Sequence, residues 1–164
     1  MNTRATAYVG LGGNLGDAGA TLRAALAELD ALPDTRLDRA SRLYRTPAWG
    51  IVDQPDFVNA VARLRTGLDP RTLLDELLAI ERAHGRDRDA ETRWGPRALD
   101  LDLLLHGQAQ LDEPGLQLPH PHLHERAFVL VPLLEIAPAV TIPGIGRASD
   151  AAAAMADAGI QAIG

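Results

Sequence analysis

Two carboxylates, Asp100 and Asp102, stand one residue apart in the run Leu99-Asp100-Leu101-Asp102-Leu103-Leu104. An apolar run of this kind reads as a strand, and strand side chains alternate between faces. The aspartates therefore share one face, and Leu99, Leu101 and Leu103 share the other. Like charges at that spacing repel, and a half-buried strand holds them best with a cation between them. Mg²⁺ suits the role because it prefers oxygen ligands and keeps room for substrate phosphates. Directly upstream stand Arg86, Arg88, Arg93 and Arg97, whose planar guanidinium forks match phosphate oxygens. This combination is the chemistry of a metal–nucleotide site. The competing reading is an edge strand with a solvated face, its aspartates paired with those arginines. The break Trp94-Gly95-Pro96 just before the strand has no evident structural use and favours the site.

The elements that must position these groups belong to one domain spanning residues 1–164, long enough to bury a full core. Apolar content of 46% and charged content of 23% are ordinary for a globular chain. No apolar run approaches the roughly 20 residues of a membrane span. The N-terminus enters a strand with no signal-peptide pattern. Cysteine is absent, which excludes disulfides and thiolate metal sites and fits a reducing cytoplasm. A net charge of −6 argues against a nucleic-acid partner. The expectation is a cytoplasmic monomer that binds neither nucleic acid nor membrane. All 16 basic residues are arginine, so no lysine can serve as phosphate ligand or nucleophile.

Residues 5–11 read as a first strand, followed by a glycine-rich turn over residues 10–17. That turn is not a dinucleotide fingerprint, since Leu15 replaces the third glycine, and it is not a Walker A loop. Asp17 caps a helix reaching Leu32, with Leu22, Leu26 and Leu29 on one face and Pro33 as its stop. Residues 37–46 and 56–66 read as strands, joined by a nine-residue connection long enough to suggest function. Asp69-Pro70 opens the clearest helix, with Leu73, Leu74, Leu77, Leu78 and Glu81 along it and Gly85 at its end. An arginine-rich loop over residues 86–96 precedes the aspartate strand, and its composition predicts a lid that orders over ligands. Residues 107–118 read as a turn and one short strand. Short helical turns are expected around residues 124–131 and 133–136, and an alanine-rich helix over 149–163. The order strand-helix-strand-strand-helix-strand predicts an α+β domain with helices on a mostly antiparallel sheet.

Four segments together resemble the 6-hydroxymethyl-7,8-dihydropterin pyrophosphokinase family of folate biosynthesis. They are residues 10–17; Tyr44-Arg45-Thr46-Pro47 with Gln54-Pro55-Asp56-Phe57-Val58-Asn59-Ala60; residues 93–104; and Leu118-Pro119-His120-Pro121-His122 with Arg126-Ala127-Phe128. The likeness spans residues 5 to 140, and the aspartate string is its most specific part. It implies a ferredoxin-like α+β sandwich. It also implies transfer of pyrophosphate from ATP to the pterin hydroxymethyl group, releasing AMP, with two Mg²⁺ ions.

The resemblance assigns Asp100 and Asp102 to the metal, and Arg86 and Arg97, with those aspartates, to catalysis. It assigns Glu81, Arg86, Arg88, Arg97, Leu103, His120 and Arg126 to ATP. It assigns Thr46, Pro47, Trp49, Phe57, Asn59, Trp94 and Phe128 to the pterin. These roles make physical sense. Phosphoryl-type transfer needs positioning and charge neutralisation, and a pterin needs a flat slot with a hydrogen-bonding edge. Phe57 and Asn59 alternate onto one strand face, so one can stack while the other bonds. The chain's two phenylalanines both fall on matching positions, although both also suit a core. Leu78 departs from the glutamine often found there. Zinc on His120, His122 and His124 is disfavoured by Pro121 and by the lack of cysteine.

Overall fold

The computed structural model describes residues 4–46, 56–85, 98–155 and 160–163. Its elements are β1 (Ala5–Gly13), α1 (Ala18–Asp30), β2 (Thr35–Ala40), β3 (Tyr44–Thr46), β4 (Phe57–Thr66), α2 (Pro70–Ala83), β5 (Asp100–His106), β6 (Leu111–Glu113), β7 (Leu116–Leu118), α3 (Ala127–Ile136), β8 (Thr141–Ile142), β9 (Gly146–Arg147), α4 (Ala148–Ala153) and β10 (Gln161–Ala162). A 3₁₀ turn at Leu123–Glu125 precedes α3.

The helix starts follow from side-chain chemistry. Asp17 accepts the Ala20 N–H at 3.0 Å and Asp69 accepts the Thr72 N–H at 2.8 Å, each satisfying a donor that the first turn leaves open. Pro70 sits where its missing N–H costs nothing. Gly85, with φ +87°, leaves α2 through the left-handed region.

The main sheet runs β10-β3-β4-β1-β5, with β2 also paired to β4, and every pairing in it is antiparallel. On one face Ala7, Val9 and Leu11 of β1, Ala60, Ala62 and Leu64 of β4, and Leu101 and Leu103 of β5 pack against α1 and α2. The helices meet them with Leu22, Ala25 and Leu29, and with Leu73, Leu77 and Ile80. Each fully buried leucine of this layer stabilises the fold by roughly 1.5–3 kcal/mol relative to exposure. On the other face Tyr8, Val61 and Leu104 pack against Val129, Leu130, Leu133 and Ile136 of α3. The sheet is antiparallel and covered by helices, as the ferredoxin-like α+β expectation has it, with α1 and α2 on one face and α3 on the other.

Several elements differ from their sequence reading. β1 does not turn at Gly10 but continues through Gly13, because β4 and β5 pair with it on both sides and their ladders hold glycines that are weak strand formers alone. The strand expected over 37–46 is broken at Ser41–Leu43. Val61 donates its N–H to Ser41 Oγ there, and register shifts by a residue before β3 resumes pairing. The single short strand over 107–118 is a hairpin of β6 and β7. The two helical turns after residue 124 form one helix, α3, passing through Pro132. Burial of Val129, Leu130, Leu133 and Ile136 outweighs the hydrogen bond that proline forfeits. Among the described residues the alanine-rich end forms α4, and Gln161–Ala162 pairs with β3 as a strand. Ala148 is buried in the core beneath α3, with Ala151, Ala152 and Met155 partly buried against it. Among the described residues no helix is long and apolar enough to cross a membrane.

Candidate active site

Residues directly opposite one another in an antiparallel pair project to the same face. The register Tyr44–Asn59, Asn59–Gly12 and Gly12–Asp100 thus makes one row across β3, β4, β1 and β5. Thr46 and Phe57 form the next row on one side, and Val61, Gly10 and Asp102 the next on the other. Val61 belongs to the layer beneath α3, so all three rows lie on the α3 face of the sheet. Asp100 and Asp102 are half-buried there, while Leu99, Leu101 and Leu103 are buried on the opposite face. The alternation read from the sequence holds.

His120 reaches the same point from the segment after β7. Its backbone N–H donates to Leu104 O at 3.0 Å, and its Nε2 lies 3.9 Å from Asp102 Oδ1. The His122 N–H donates to His120 Nδ1 at 3.2 Å, which places the ring proton on Nε2. Burial, followed by the nearby Arg126 charge and His122, pushes the His120 pKa down to about 4. At neutral pH His120 is therefore an uncharged N–H donor, and its approach to Asp102 is proximity rather than an ion pair.

At the Asn59 end, Asn59 Nδ2 donates to Thr46 Oγ1 at 2.8 Å, and both side chains are buried. Phe57 is half-buried beside Thr46. Phe128, on the first turn of α3, is half-buried, and the Arg126 guanidinium stands 5.7 Å from its ring centroid.

A cleft of about 680 Å³ opens beside Asp102. Leu74 and Leu78 of α2 form one wall, residues 112–117 of the β6–β7 hairpin another, and Leu101, Asp102, Leu103, His120 and Pro121 complete it. Its size suits a small ligand, and its lining mixes leucines with the polar side chains of Asp102, Asp112, Glu113, Gln117 and His120. Glu81 does not line it. That carboxylate is only 2% exposed and accepts the Leu101 N–H at 2.6 Å, gripping β5 between the two aspartates from below. This bond lets Glu81 position β5, alongside the nucleotide role that the resemblance assigns to it.

The expected residues Arg86, Arg88 and Arg97, together with Pro47, Trp49 and Trp94, lie outside the described residues, as do the arginine-rich loop and the connection before β4. Thr46, Phe57, Asn59, Asp100, Asp102, Leu103, His120, Arg126 and Phe128 are described.

Residues 8–138 match the family model for 7,8-dihydro-6-hydroxymethylpterin-pyrophosphokinase. The chain belongs to that family. Its relatives include the 2-amino-4-hydroxy-6-hydroxymethyldihydropteridine pyrophosphokinase of Pseudomonas aeruginosa, 52% identical over 83% of this chain and 83% of the relative. The enzyme of the same name from Methylorubrum extorquens is 50% identical over 84% of this chain and 86% of its own length. Among solved structures, Plasmodium falciparum HPPK-DHPS wild type superposes with a TM-score of 0.71 over 93% of this chain at 14% identity, a likeness of fold. This chain spans 45% of that larger protein. As a pyrophosphokinase of the folate pathway, the chain transfers pyrophosphate from ATP to hydroxymethyldihydropterin.

For a pyrophosphokinase the β6–β7 hairpin is the element that sequence reading missed as a site wall. The signal available was α2 itself: Leu74 and Leu78 lie four residues apart and off the buried stripe of Leu73, Leu77 and Ile80. A second apolar stripe needs a partner other than the core.

Proposed function

We propose that the reaction runs across the α3 face of the sheet, with ATP in the cleft beside β5 and the pterin over the Asn59 row. The single observation that supports this is the shared row Tyr44–Asn59–Gly12–Asp100. It puts a buried hydrogen-bonding amide and a carboxylate on one face, two strand spacings or roughly 10 Å apart. A flat bicyclic ring with a one-carbon arm spans a distance of that order.

Asp100 and Asp102 would hold Mg²⁺, two ions in all. The donor set fits: two half-exposed carboxylates on one face of β5. Mg²⁺ takes one or two carboxylates and fills its octahedron with water and substrate phosphates. Bound there, it would neutralise charge on the phosphates. In the transfer the pterin hydroxyl oxygen bonds to the β-phosphorus and gives up its proton to water. The bond from that phosphorus to the α,β-bridging oxygen breaks, and AMP leaves. His120 Nε2–H donates to a phosphate oxygen without adding charge. Arg126, and the arginines Arg86, Arg88 and Arg97, supply the positive charge. Arg86 and Arg97 act at the transferred group, where charge develops.

Leu103 lines the nucleotide cleft, with Leu78 offering the base an apolar wall. Phe57 and Phe128 stack on the pterin, Asn59 and Thr46 read its edge, and Pro47, Trp49 and Trp94 complete the slot. The protein acts as a cytoplasmic monomer without nucleic-acid or membrane partners. Product analysis tests the reading. Incubated with Mg²⁺, ATP and the hydroxymethyl dihydropterin, the protein should form AMP and pterin diphosphate in equal amounts. Formation of ADP or free phosphate instead would overturn it.

A further inference from the structure

We infer that Gly12 is a positioning residue for pterin recognition, because its bare α-carbon is what lets the Asn59 amide point its carbonyl oxygen over β1. The inference rests on the pterin slot proposed above. A Cβ placed on Gly12 would lie 2.9 Å from Asn59 Oδ1 and 3.8 Å from Val58 O. The first distance is repulsive, so the amide would have to move. It has no cheap way to do so. Asn59 is 7% exposed, and its Nδ2 donates at 2.8 Å to Thr46 Oγ1 on a side chain itself 3% exposed. Rotating the amide away would break that buried bond.

The Asn59 amide also has a direction in the structure. Nitrogen points toward β3 and oxygen toward β1 and the aspartates. An oxygen so presented accepts N–H groups, and the ring edge it reads must supply them. The amide and amino N–H groups of a pterin do. The backbone itself does not demand glycine at this position, since Gly12 is absent from the glycines with positive φ. Gly10, next along the same face, is different: a Cβ there would meet the Leu104 side chain at an ordinary 3.5 Å. Of these two glycines, the sterically exacting one is therefore Gly12, beside the recognition amide.

Calorimetric titration of the full chain tests this with two probes: the hydroxymethyl dihydropterin, and separately Mg²⁺ with an ATP analogue whose α,β-bridge is methylene. Gly12→Ala should weaken pterin binding about 5- to 150-fold, the range that one unmade buried hydrogen bond gives, and leave nucleotide binding unchanged. Asn59→Ala should lose pterin affinity similarly. The double variant Gly12→Ala/Asn59→Ala should bind pterin no more weakly than Asn59→Ala, because the colliding oxygen is gone. Such non-additivity is expected of residues that act through one contact, and a general structural defect would not give it.

Parent-like pterin binding by Gly12→Ala, while Asn59→Ala is impaired, overturns the inference and leaves the slot standing. Parent-like binding by Asn59→Ala overturns the slot itself, and the inference with it. Multiplying losses in the double variant, or an equal loss of nucleotide, would also overturn the inference. Should Gly12→Ala fail to fold, the double variant decides alone. Affinity equal to Asn59→Ala supports the contact, and a further tenfold drop refutes it.

Discussion

The two faces of the central sheet are made from the same strands and put to different use. On the α1/α2 face, β1, β4 and β5 present alanine, valine and leucine packed beneath two helices, most of them buried. On the α3 face the same strands change character midway. Tyr8, Val61 and Leu104 lie beneath α3, and two or four residues further the face carries Gly10, Gly12, Asn59, Asp100 and Asp102. Period-two alternation decides which face a residue joins. What changes along one face decides where packing ends and chemistry begins. A pyrophosphokinase built this way keeps a rigid, fully covered layer directly behind its reacting groups.

The comparison breaks most sharply at the aspartates. Asp100→Asn and Asp102→Asn should each lower turnover on the order of 10²–10³-fold, the loss typical of one electrostatic group at a transition state. Their thermal unfolding should stay close to that of the parent. Near-normal Mg²⁺-dependent rates in both would remove the metal site from this end of the face. Under α3 the reverse pattern is expected. Leu133→Ala, a fully buried position, should cost about 2–5 kcal/mol in denaturant unfolding, with pterin KM retained in the folded fraction. A loss below about 1 kcal/mol would mean that α3 does not pack as a core element.

His120 stands at the boundary and sharpens the comparison through pH. Its native pKa of about 4 lies below the ordinary histidine value, so between pH 6.5 and 4 the unfolded chain binds a proton that the native chain refuses. His120 therefore lowers stability as pH falls through that window and has no such effect above it. The loss at pH 4 should be on the order of 2–3 kcal/mol. Unfolding free energies measured from pH 4 to 7 should fall less steeply toward acid in His120→Gln than in the parent. Equal slopes would show that the imidazole is not desolvated. The smallest effect is expected at Glu135, which acts on Tyr44 at the end of the Asn59 row rather than on a reacting group. It ties α3 to β3 through the Tyr44 hydroxyl and the Arg42 N–H. Burial favours its neutral form, but these hydrogen bonds outweigh that and hold its pKa below the usual carboxylate value. Glu135→Ala should cost about 1 kcal/mol and leave pterin KM within about twofold. A larger change in KM would make this tie part of the slot.

The parts that the residues announced were those governed by local rules. The caps at Asp17 and Asp69, the Pro70 start, the shared face of Asp100 and Asp102 and the element order follow from hydrogen-bond supply and periodicity. The parts that escaped depend on distant partners. Glycine-rich β1 reads as a turn until β4 and β5 are seen to pair with it on both sides. Pro132 reads as a stop until α3 is seen to be buried. The chain end reads as helix until β3 offers it an edge. At the site, the same-face pairing of Phe57 with Asn59 could be inferred from spacing. That Thr46 orients Asn59, and that Glu81 serves β5 from below, needed cross-strand register and burial that no local pattern encodes.

The way β5 ends the sheet has a consequence for the behaviour of the protein in concentrated solution. A terminal strand normally displays a row of open N–H and C=O groups that can recruit another chain. Here the outer edge of β5 is claimed twice, by the Glu81 carboxylate on Leu101 N–H and by the His120 N–H on Leu104 O. At the opposite edge, the short β10 lies along β3. The contacts that steady the aspartate strand thus also deny it to a neighbouring molecule, so resistance to strand-mediated aggregation comes with the architecture of the site.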